Sequence, residues 1–177
     1  MTSDLLVLRP EPGASHTAQR AREAGWNPIV LPLFLLTSRP WDPPSAEDFD
    51  AIMMTSANAA QFGGEGLADF CDLPLYAVGA ATGEAAKEAG FARIIAGNGG
   101  VAALADRMRS DDVTHIFHPA GAATRPFDES GLSITRVTVY DAKRVPPPDL
   151  AAHLRPERVI LVHSPRAAEY LDALCTE

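Results

Sequence analysis

Hydroxyl and glycine residues follow four apolar segments of the sequence, each at the point where a helix is predicted to begin. The four junctions are Thr55-Ser56, Gly79-Ala80-Ala81-Thr82, Gly121-Ala122-Ala123-Thr124 and His163-Ser164. In a parallel α/β sheet such junctions lie at the carboxyl ends of the strands, where ligands bind. Each junction offers unpaired backbone N–H groups and the positive end of a helix dipole, which attract anions. The set predicts a site for a molecule with several carboxylates, although each hydroxyl alone is also typical of an ordinary helix cap.

The motifs of several well-known reaction types are missing from the sequence, which contains no GxSxG, no HExxH and no GxxxxGKS/T. His115 and His118 are three residues apart in a predicted strand, so their side chains should point to opposite faces and cannot share a metal. We interpret them as ordinary histidines at a strand end. Residues 97–100 lack the strand–GxGxxG–helix frame of a dinucleotide site and are predicted to form a turn.

The composition indicates a folded, soluble protein of one domain or two small ones, with 177 residues, 46% hydrophobic and 21% charged. No apolar run reaches the ~20 residues that a membrane helix needs. The net charge of −8 argues against nucleic-acid binding. Two cysteines without CxxC spacing, and an N-terminus without the pattern of a signal peptide, favour a cytoplasmic protein.

Short apolar strands alternate with helices rich in alanine and charged residues. Strands are predicted over 5–8, 29–33, 51–55, 75–78, 94–96, 114–118, 135–140 and 159–163. Helices are predicted over 14–24, 58–70, 82–89, 101–108 and 167–174. This alternation is typical of an α/β protein in which helices cover both faces of a parallel sheet.

Two proline-rich segments, residues 37–45 and 146–148, divide the chain. They predict a discontinuous lobe 1 (residues 1–36 with 146–177) and a lobe 2 (residues 37–145). Segment 50–60 is echoed by segment 158–168, since each is a buried strand followed by a hydroxyl residue and a helix that opens with small residues. We therefore expect two related, doubly wound parallel-sheet lobes joined by two linkers, with a cleft between them.

Several segments, in their order and spacing, resemble the uroporphyrinogen-III synthase family. They are 6–11 (LVLRPE), 54–60 (MTSANAA), 75–91 (LYAVGAATGEAAKEAGF), 118–125 (HPAGAATR), 137–142 (VTVYDA) and 161–168 (LVHSPRAA). The resemblance runs from Leu5 to about Leu174. It implies a small-molecule substrate, the linear tetrapyrrole hydroxymethylbilane, and neither a metal nor a cofactor. Members of the family remove the terminal hydroxyl of this substrate and close the ring with the fourth pyrrole inverted, giving uroporphyrinogen III.

The resemblance also implies roles for individual residues. Tyr140 matches the donor that assists departure of the hydroxyl, although a tyrosine at a strand end can equally anchor a loop. Arg9 and Arg125 would pair with carboxylates of the substrate. Thr82, opening a helix, would bind a carboxylate or the edge of the macrocycle. Further contacts are implied for Ser56, Asn58, Gly79, Gly121 and Ser164. Because the bilane also closes spontaneously to the uninverted isomer, we expect the enzyme to contribute positioning rather than covalent catalysis.

The chain ends at Glu177, whereas family members continue with further strand–helix units. Lobe 1 is therefore expected to be incomplete, with three strands and one bare flank. A truncated product, a portion of a longer protein, and a monomer that self-associates through the exposed sheet edge are three explanations that the sequence does not rank.

Two other function classes compete with the enzyme. One is a non-catalytic α/β module that binds an anionic small molecule. The other is a receiver-like signalling domain, which is disfavoured because no paired acids end the first strand and no lysine follows a late one.

Overall fold

Nine strands and six α-helices alternate along residues 3–124 and 126–176, which are the residues that the computed structural model describes. The strands are β1 (Asp4–Val7), β2 (Asn27–Val30), β3 (Phe34–Ser38), β4 (Ala51–Met54), β5 (Leu75–Ala77), β6 (Ile94–Ala96), β7 (His115–Gly121), β8 (Ser133–Arg144) and β9 (Val159–Leu161). The helices are α1 (Gly13–Glu23), α2 (Ala57–Phe62), α3 (Ala80–Glu88), α4 (Gly100–Ser110), α5 (Leu150–His153) and α6 (Pro165–Thr176). Two 3-10 helices cover Ala46–Asp48 and Gly64–Phe70.

The chain divides into two units. Unit 1 is Met1–Leu36 with Ala142–Glu177, and unit 2 is Thr37–Asp141. The second boundary was predicted from the sequence after residue 145, whereas unit 2 ends at residue 141. The two positions differ because β8 is a long strand that continues to Arg144, beyond the end of unit 2.

Four local predictions need correction. No described residue between Gly121 and Ser133 is helical, although a helix was predicted to begin at the junction that follows β7. Residues 34–38 form a strand, β3, that neighbours β8, although residues 37–45 were predicted to be a linker. The predicted helix over 58–70 is divided, because Gly64 adopts a positive φ of 67° and a 3-10 helix begins there. Helix α3 begins at Ala80, so Thr82 lies inside it instead of opening it.

In unit 1 a three-stranded parallel sheet has the order β2–β1–β9. Alternate residues of the first strand face opposite ways. Leu5 and Val7 pack in one apolar cluster with residues of α1. Leu6 and Leu8 pack in another with residues of α5 and α6. Helices therefore cover both faces of this sheet, as the α/β prediction required.

Strand β9 forms one edge of that sheet. Val159 at its start is 43% exposed, and Val162 just beyond its end is 41% exposed. Whether a second copy of the chain pairs with this edge stays a prediction.

A second sheet, whose strands β4, β5, β6 and β7 lie wholly in unit 2, has the order β3–β8–β7–β4–β5–β6, and neighbouring strands from β8 to β6 are parallel. Met53 and Tyr76 belong to a buried cluster that includes Leu104 and Met108 of α4. On β5 and β6, Ala77 and Ile94 instead lie beside Gly83 of α3. Because adjacent residues of a strand point to opposite faces, α3 and α4 lie on opposite sides of the sheet. The α/β fold class with parallel sheets is confirmed.

Four aromatic side chains pack together in unit 2 and are called the aromatic cluster: Trp41, Phe49, Phe70 and Phe117. Phe117 of β7 is fully buried. Its ring centroid lies 4.4 Å from that of Phe70, 5.4 Å from that of Phe49 and 5.7 Å from that of Trp41. Since the other three rings come from segments outside the strands, Phe117 fastens those segments to the sheet.

Candidate functional site

A pocket of about 330 Å³ opens in unit 2 at the carboxyl ends of parallel strands. Its lining combines hydroxyl groups, one imidazole, two glycines and a few apolar side chains. The lining residues are Thr55, Ser56, Val78, Gly100, Val101, His118, Gly121, Ala123, Thr124, Phe127 and Tyr140. Most of them follow β4, β5 or β7 directly or come from the start of α4. This is the place where α/β proteins bind ligands, and the polar groups converge on it.

Tyr140 and Gly121 are held together by an irregularity in the β7–β8 pairing. Ala120 is paired with Thr138, but Gly121 is paired with Tyr140, so one residue of β8 is skipped. Such a bulge redirects the side chains that follow it. The Tyr140 ring consequently lies directly over Gly121, and a Cβ atom at Gly121 would be 2.6 Å from ring carbon Cζ and 2.8 Å from the hydroxyl oxygen. Only glycine leaves room for the tyrosine in this position.

Gly121→Ala is expected to displace the Tyr140 ring and to lower the free energy of unfolding by about 1–3 kcal/mol, as overpacking of a dense site usually does. Urea denaturation measures this change. Gly97→Ala is the matched control, because a Cβ there would make only an ordinary contact, 3.4 Å from Leu104 Cδ1. Equal stability of the two variants would show that the ring does not need the space over Gly121.

The Tyr140 ring packs against Phe62, with 6.1 Å between ring centroids, and the residue is 9% exposed. Its hydroxyl has no hydrogen-bond partner among the residues that the structure describes. The phenol is therefore held by its ring, while its oxygen remains available to a bound molecule.

Thr55 and Ser56 join β4 to α2. The Ser56 hydroxyl accepts a hydrogen bond of 3.2 Å from the backbone N–H of Asn58 and so caps the helix. Ser56 also lines the pocket, whereas Asn58 does not belong to the described lining. A hydroxyl that accepts in a cap can still donate its own proton to a ligand.

His118 is the one buried histidine among the described residues, with 1% of its surface exposed. Its Nδ1 accepts a hydrogen bond of 3.1 Å from Arg136 Nε, and its Nε2 lies 3.3 Å from Thr55 Oγ1. Burial, and secondarily the positive charge of Arg136, lower the pKa of His118 to about 4. His118 is therefore a neutral hydrogen-bonding group at neutral pH.

Lowering the pH from 7 to 4.5 is expected to destabilise the protein through His118. In the folded protein the His118 imidazole is protonated only near pH 4, because its pKa is about 4, whereas in the unfolded chain it is protonated near pH 6.5. The contribution of neutral His118 to the free energy of unfolding is therefore complete above pH 6.5 and is lost as the pH falls toward 4. The loss amounts to about 2–3 kcal/mol. Urea denaturation of wild type and of His118→Gln at both pH values measures this loss, which the variant should lack.

The exposed His16 supplies the control, His16→Gln, which should keep the wild-type pH dependence. If His118→Gln loses as much stability as wild type between the two pH values, His118 is not the group responsible.

Gly79 and Thr82 belong to the junction after β5, which contributes Val78 to the pocket. Gly79 caps α3 and its carbonyl accepts hydrogen bonds from the N–H groups of Thr82 and Gly83, both at 3.0 Å. Thr82 is 7% exposed. The described lining includes neither Gly79 nor Thr82, so a contact between them and a ligand stays a prediction.

Arg9 and Ser164 belong to unit 1. The Arg9 guanidinium lies against Gly13 and donates a hydrogen bond of 3.3 Å to Thr17 Oγ1. The Ser164 hydroxyl accepts one of 3.2 Å from the Ala167 N–H at the start of α6. Burial, and then the charge of Arg9, lower the pKa of His163. The roles of Arg9 and Ser164 in substrate binding remain predictions, and Arg125 lies outside the described residues.

Two residues that line the pocket, His118 and Phe127, were not predicted as site residues, and Thr55 was named only as part of the Thr55-Ser56 junction. The strand was predicted to end at His118, before Pro119, whereas β7 continues to Gly121. A histidine inside an otherwise apolar strand was the available signal, because a buried imidazole needs hydrogen-bond partners.

The part of the chain covered by the structure holds no group of three or more His, Cys, Asp or Glu residues suited to a metal ion. Within the same residues, no helix combines the length and the apolar character required to cross a bilayer.

The structure is an α/β fold with a pocket at the carboxyl ends of its parallel strands, the position at which proteins of this class commonly bind small molecules. The comparison with protein families is more specific. The family model described as uroporphyrinogen-III synthase HemD matches residues 15–176, and the chain belongs to this family.

Two solved structures of uroporphyrinogen III synthase from Thermus thermophilus are similar to the chain. One, of a mutant protein, has 12% sequence identity and a TM-score of 0.47. The other has 15% identity and a TM-score of 0.42. Each match covers 81% of this chain and 64% of the solved chain, so this chain spans less than two thirds of their length. No curated protein matches the sequence.

Proposed function

We propose that the protein is a uroporphyrinogen-III synthase, a lyase of tetrapyrrole and heme biosynthesis that acts in the cytoplasm. It removes water from hydroxymethylbilane and closes the macrocycle with inversion of ring D. Membership of the family supports the reaction. The observation that carries the proposal to this chain is the Tyr140 hydroxyl, held over Gly121 in a pocket whose other polar groups are mainly hydroxyls.

The chemistry requires little from the protein beyond shape and one donor. The leaving hydroxyl takes a proton as it departs, and Tyr140 donates the hydrogen bond that assists this step. The electron-rich pyrroles supply the carbon nucleophile themselves, so no covalent attachment to the protein is needed. Holding the two ends of the bilane in the geometry that leads to the inverted product is the larger part of catalysis.

The substrate carries eight carboxylates and the protein a net charge of −8, which would repel each other at long range. At short range the pocket offers the hydroxyls of Thr55, Ser56 and Thr124 and the amino-terminal end of α4 at Gly100. With about 330 Å³ the pocket lies at the lower end of the range for drug-sized ligands. It therefore encloses the reacting end of the bilane, while the other rings lie outside it.

The test is product analysis. Purified protein is incubated with hydroxymethylbilane, and the uroporphyrinogens are oxidised and separated by isomer. The proposal predicts isomer III well above that formed with heat-denatured protein. Isomer I alone, at the spontaneous rate, would exclude the activity.

A binding module without catalysis is the second candidate, and the observation that favours it is the pocket itself, whose hydroxyls and helix start at Gly100 could hold a carboxylate without taking part in a reaction. Such a protein would bind an octacarboxylate porphyrin, as measured by fluorescence titration. It would nevertheless leave the ratio of isomer III to isomer I unchanged in the product analysis. The assignment of Arg9, Asn58, Thr82, Arg125 and Ser164 to the substrate, and a monomeric state, remain parts of the proposal.

A further inference from the structure

Four side chains of unit 2 form a continuous hydrogen-bonded series that ends in the pocket. Glu129 Oε1 accepts from Arg136 Nη2 at 2.6 Å, and Arg136 Nε donates to His118 Nδ1 at 3.1 Å. His118 Nε2 lies 3.3 Å from Thr55 Oγ1. The series runs from Glu129, which is half exposed, to Thr55, which lines the pocket. We call these four residues the Thr55 relay.

The fold determines the middle of the relay. Strands β7 and β8 are parallel neighbours, and their register pairs His118 with Arg136. Thr55 follows β4, the neighbour of β7 on its other side. The histidine therefore bridges two strands, and neither of its contacts could form without this strand order.

The direction of each hydrogen bond follows from the chemistry of the groups. A guanidinium can only donate, so His118 Nδ1 must accept and carries no proton. In a neutral imidazole the proton then resides on Nε2, which donates to Thr55 Oγ1. Nearly complete burial of His118 favours this neutral form. The Thr55 oxygen is used as an acceptor, and its own hydrogen is left for another partner.

We propose that Thr55 donates a hydrogen bond to a carboxylate oxygen of the substrate, and that His118, Arg136 and Glu129 are positioning residues that fix the direction of this donor. The inference rests on the proposed function for the identity of the substrate. An acceptor-only partner suits Thr55, because the lone pair facing His118 is occupied while the hydroxyl hydrogen remains free. A hydrogen bond to a charged group is also stronger than one between neutral groups.

The kinetic test compares two substitutions that differ by one hydroxyl. Thr55→Val keeps the shape of the side chain and loses the donor, and it is expected to raise the KM for hydroxymethylbilane about tenfold with kcat within twofold of wild type. Thr55→Ser keeps the hydroxyl and should remain near wild type. An unchanged KM in Thr55→Val, or a fall in kcat alone, would overturn the assignment to a substrate carboxylate.

The relay itself has a readout that does not depend on turnover. In nitrogen-15 NMR spectra of wild type, His118 should show a protonated Nε2 and an unprotonated Nδ1. Arg136→Met should give a mixture of the two His118 tautomers. Its KM for hydroxymethylbilane should rise less than that of Thr55→Val. A protonated Nδ1 in wild type would overturn the relay. A wild-type protein that neither converts hydroxymethylbilane nor binds uroporphyrin would instead contradict the proposed function, with the tautomer still measurable.

Discussion

Replacing Tyr140 with phenylalanine is expected to lower the turnover of hydroxymethylbilane at least tenfold, which corresponds to about 1.4 kcal/mol of activation free energy. The substitution removes the donor proposed to assist departure of the hydroxyl. The fold should be unaffected, because the ring keeps its contacts with Gly121 and Phe62. Initial rates of isomer III formation, measured with saturating substrate, give the effect.

The chain offers a matched control in Tyr76. Its hydroxyl donates a hydrogen bond of 2.9 Å to Asp111 Oδ2, and burial raises its pKa to about 12. Tyr76→Phe loses one hydrogen bond, worth about 1 kcal/mol of stability, but the turnover of the folded protein should stay at the wild-type level. Wild-type turnover in Tyr140→Phe would remove Tyr140 from the mechanism.

Replacing Phe117 with alanine should have the largest effect on stability, a loss of about 3–5 kcal/mol in the free energy of unfolding. The side chain is fully buried and stacks in the aromatic cluster, with the Phe70 centroid 4.4 Å away. Its removal leaves a cavity between the sheet and the segments that carry the other three rings. Urea denaturation followed by far-UV circular dichroism measures the change.

Phe117→Leu is the companion variant, because it keeps much of the apolar volume and should cost markedly less than the alanine variant. A loss below about 1 kcal/mol in Phe117→Ala would mean that the cluster relaxes to fill the space and is not a major source of stability.

The fold class was predictable because buried parallel strands leave a simple pattern. The apolar segments at 75–78 and 94–96 correspond to β5 and β6, and helices α1 and α3 end just before Gly25 and Gly90, which adopt positive φ. The pattern did not predict that the strand beginning near residue 114 continues through Pro119 to Gly121. Pro119 lies beyond the two residue pairs that join β7 to β4, so its missing N–H removes no bond from that ladder.

The site was less predictable, since its geometry depends on contacts between distant segments. Nothing local in the sequence reveals the skipped residue that places Tyr140 opposite Gly121. Likewise, the environment of His118 is set by Arg136 in one neighbouring strand and by Thr55 after another. The resemblance to the family predicted Ser56, Gly121 and Tyr140 as site residues, and all three line the pocket. It did not predict His118, whose role depends on contacts with neighbouring strands.

The claim on which the account depends most is that substrate is bound in the pocket of unit 2. Methyl NMR spectra recorded during titration with uroporphyrin, the oxidised form of the proposed product, test it directly. We expect large ring-current shifts at the methyl groups of Val78, Val101 and Ala123, which line the pocket. Shifts confined to methyl groups elsewhere, such as those of the exposed Val159, or no shifts at all, would contradict it.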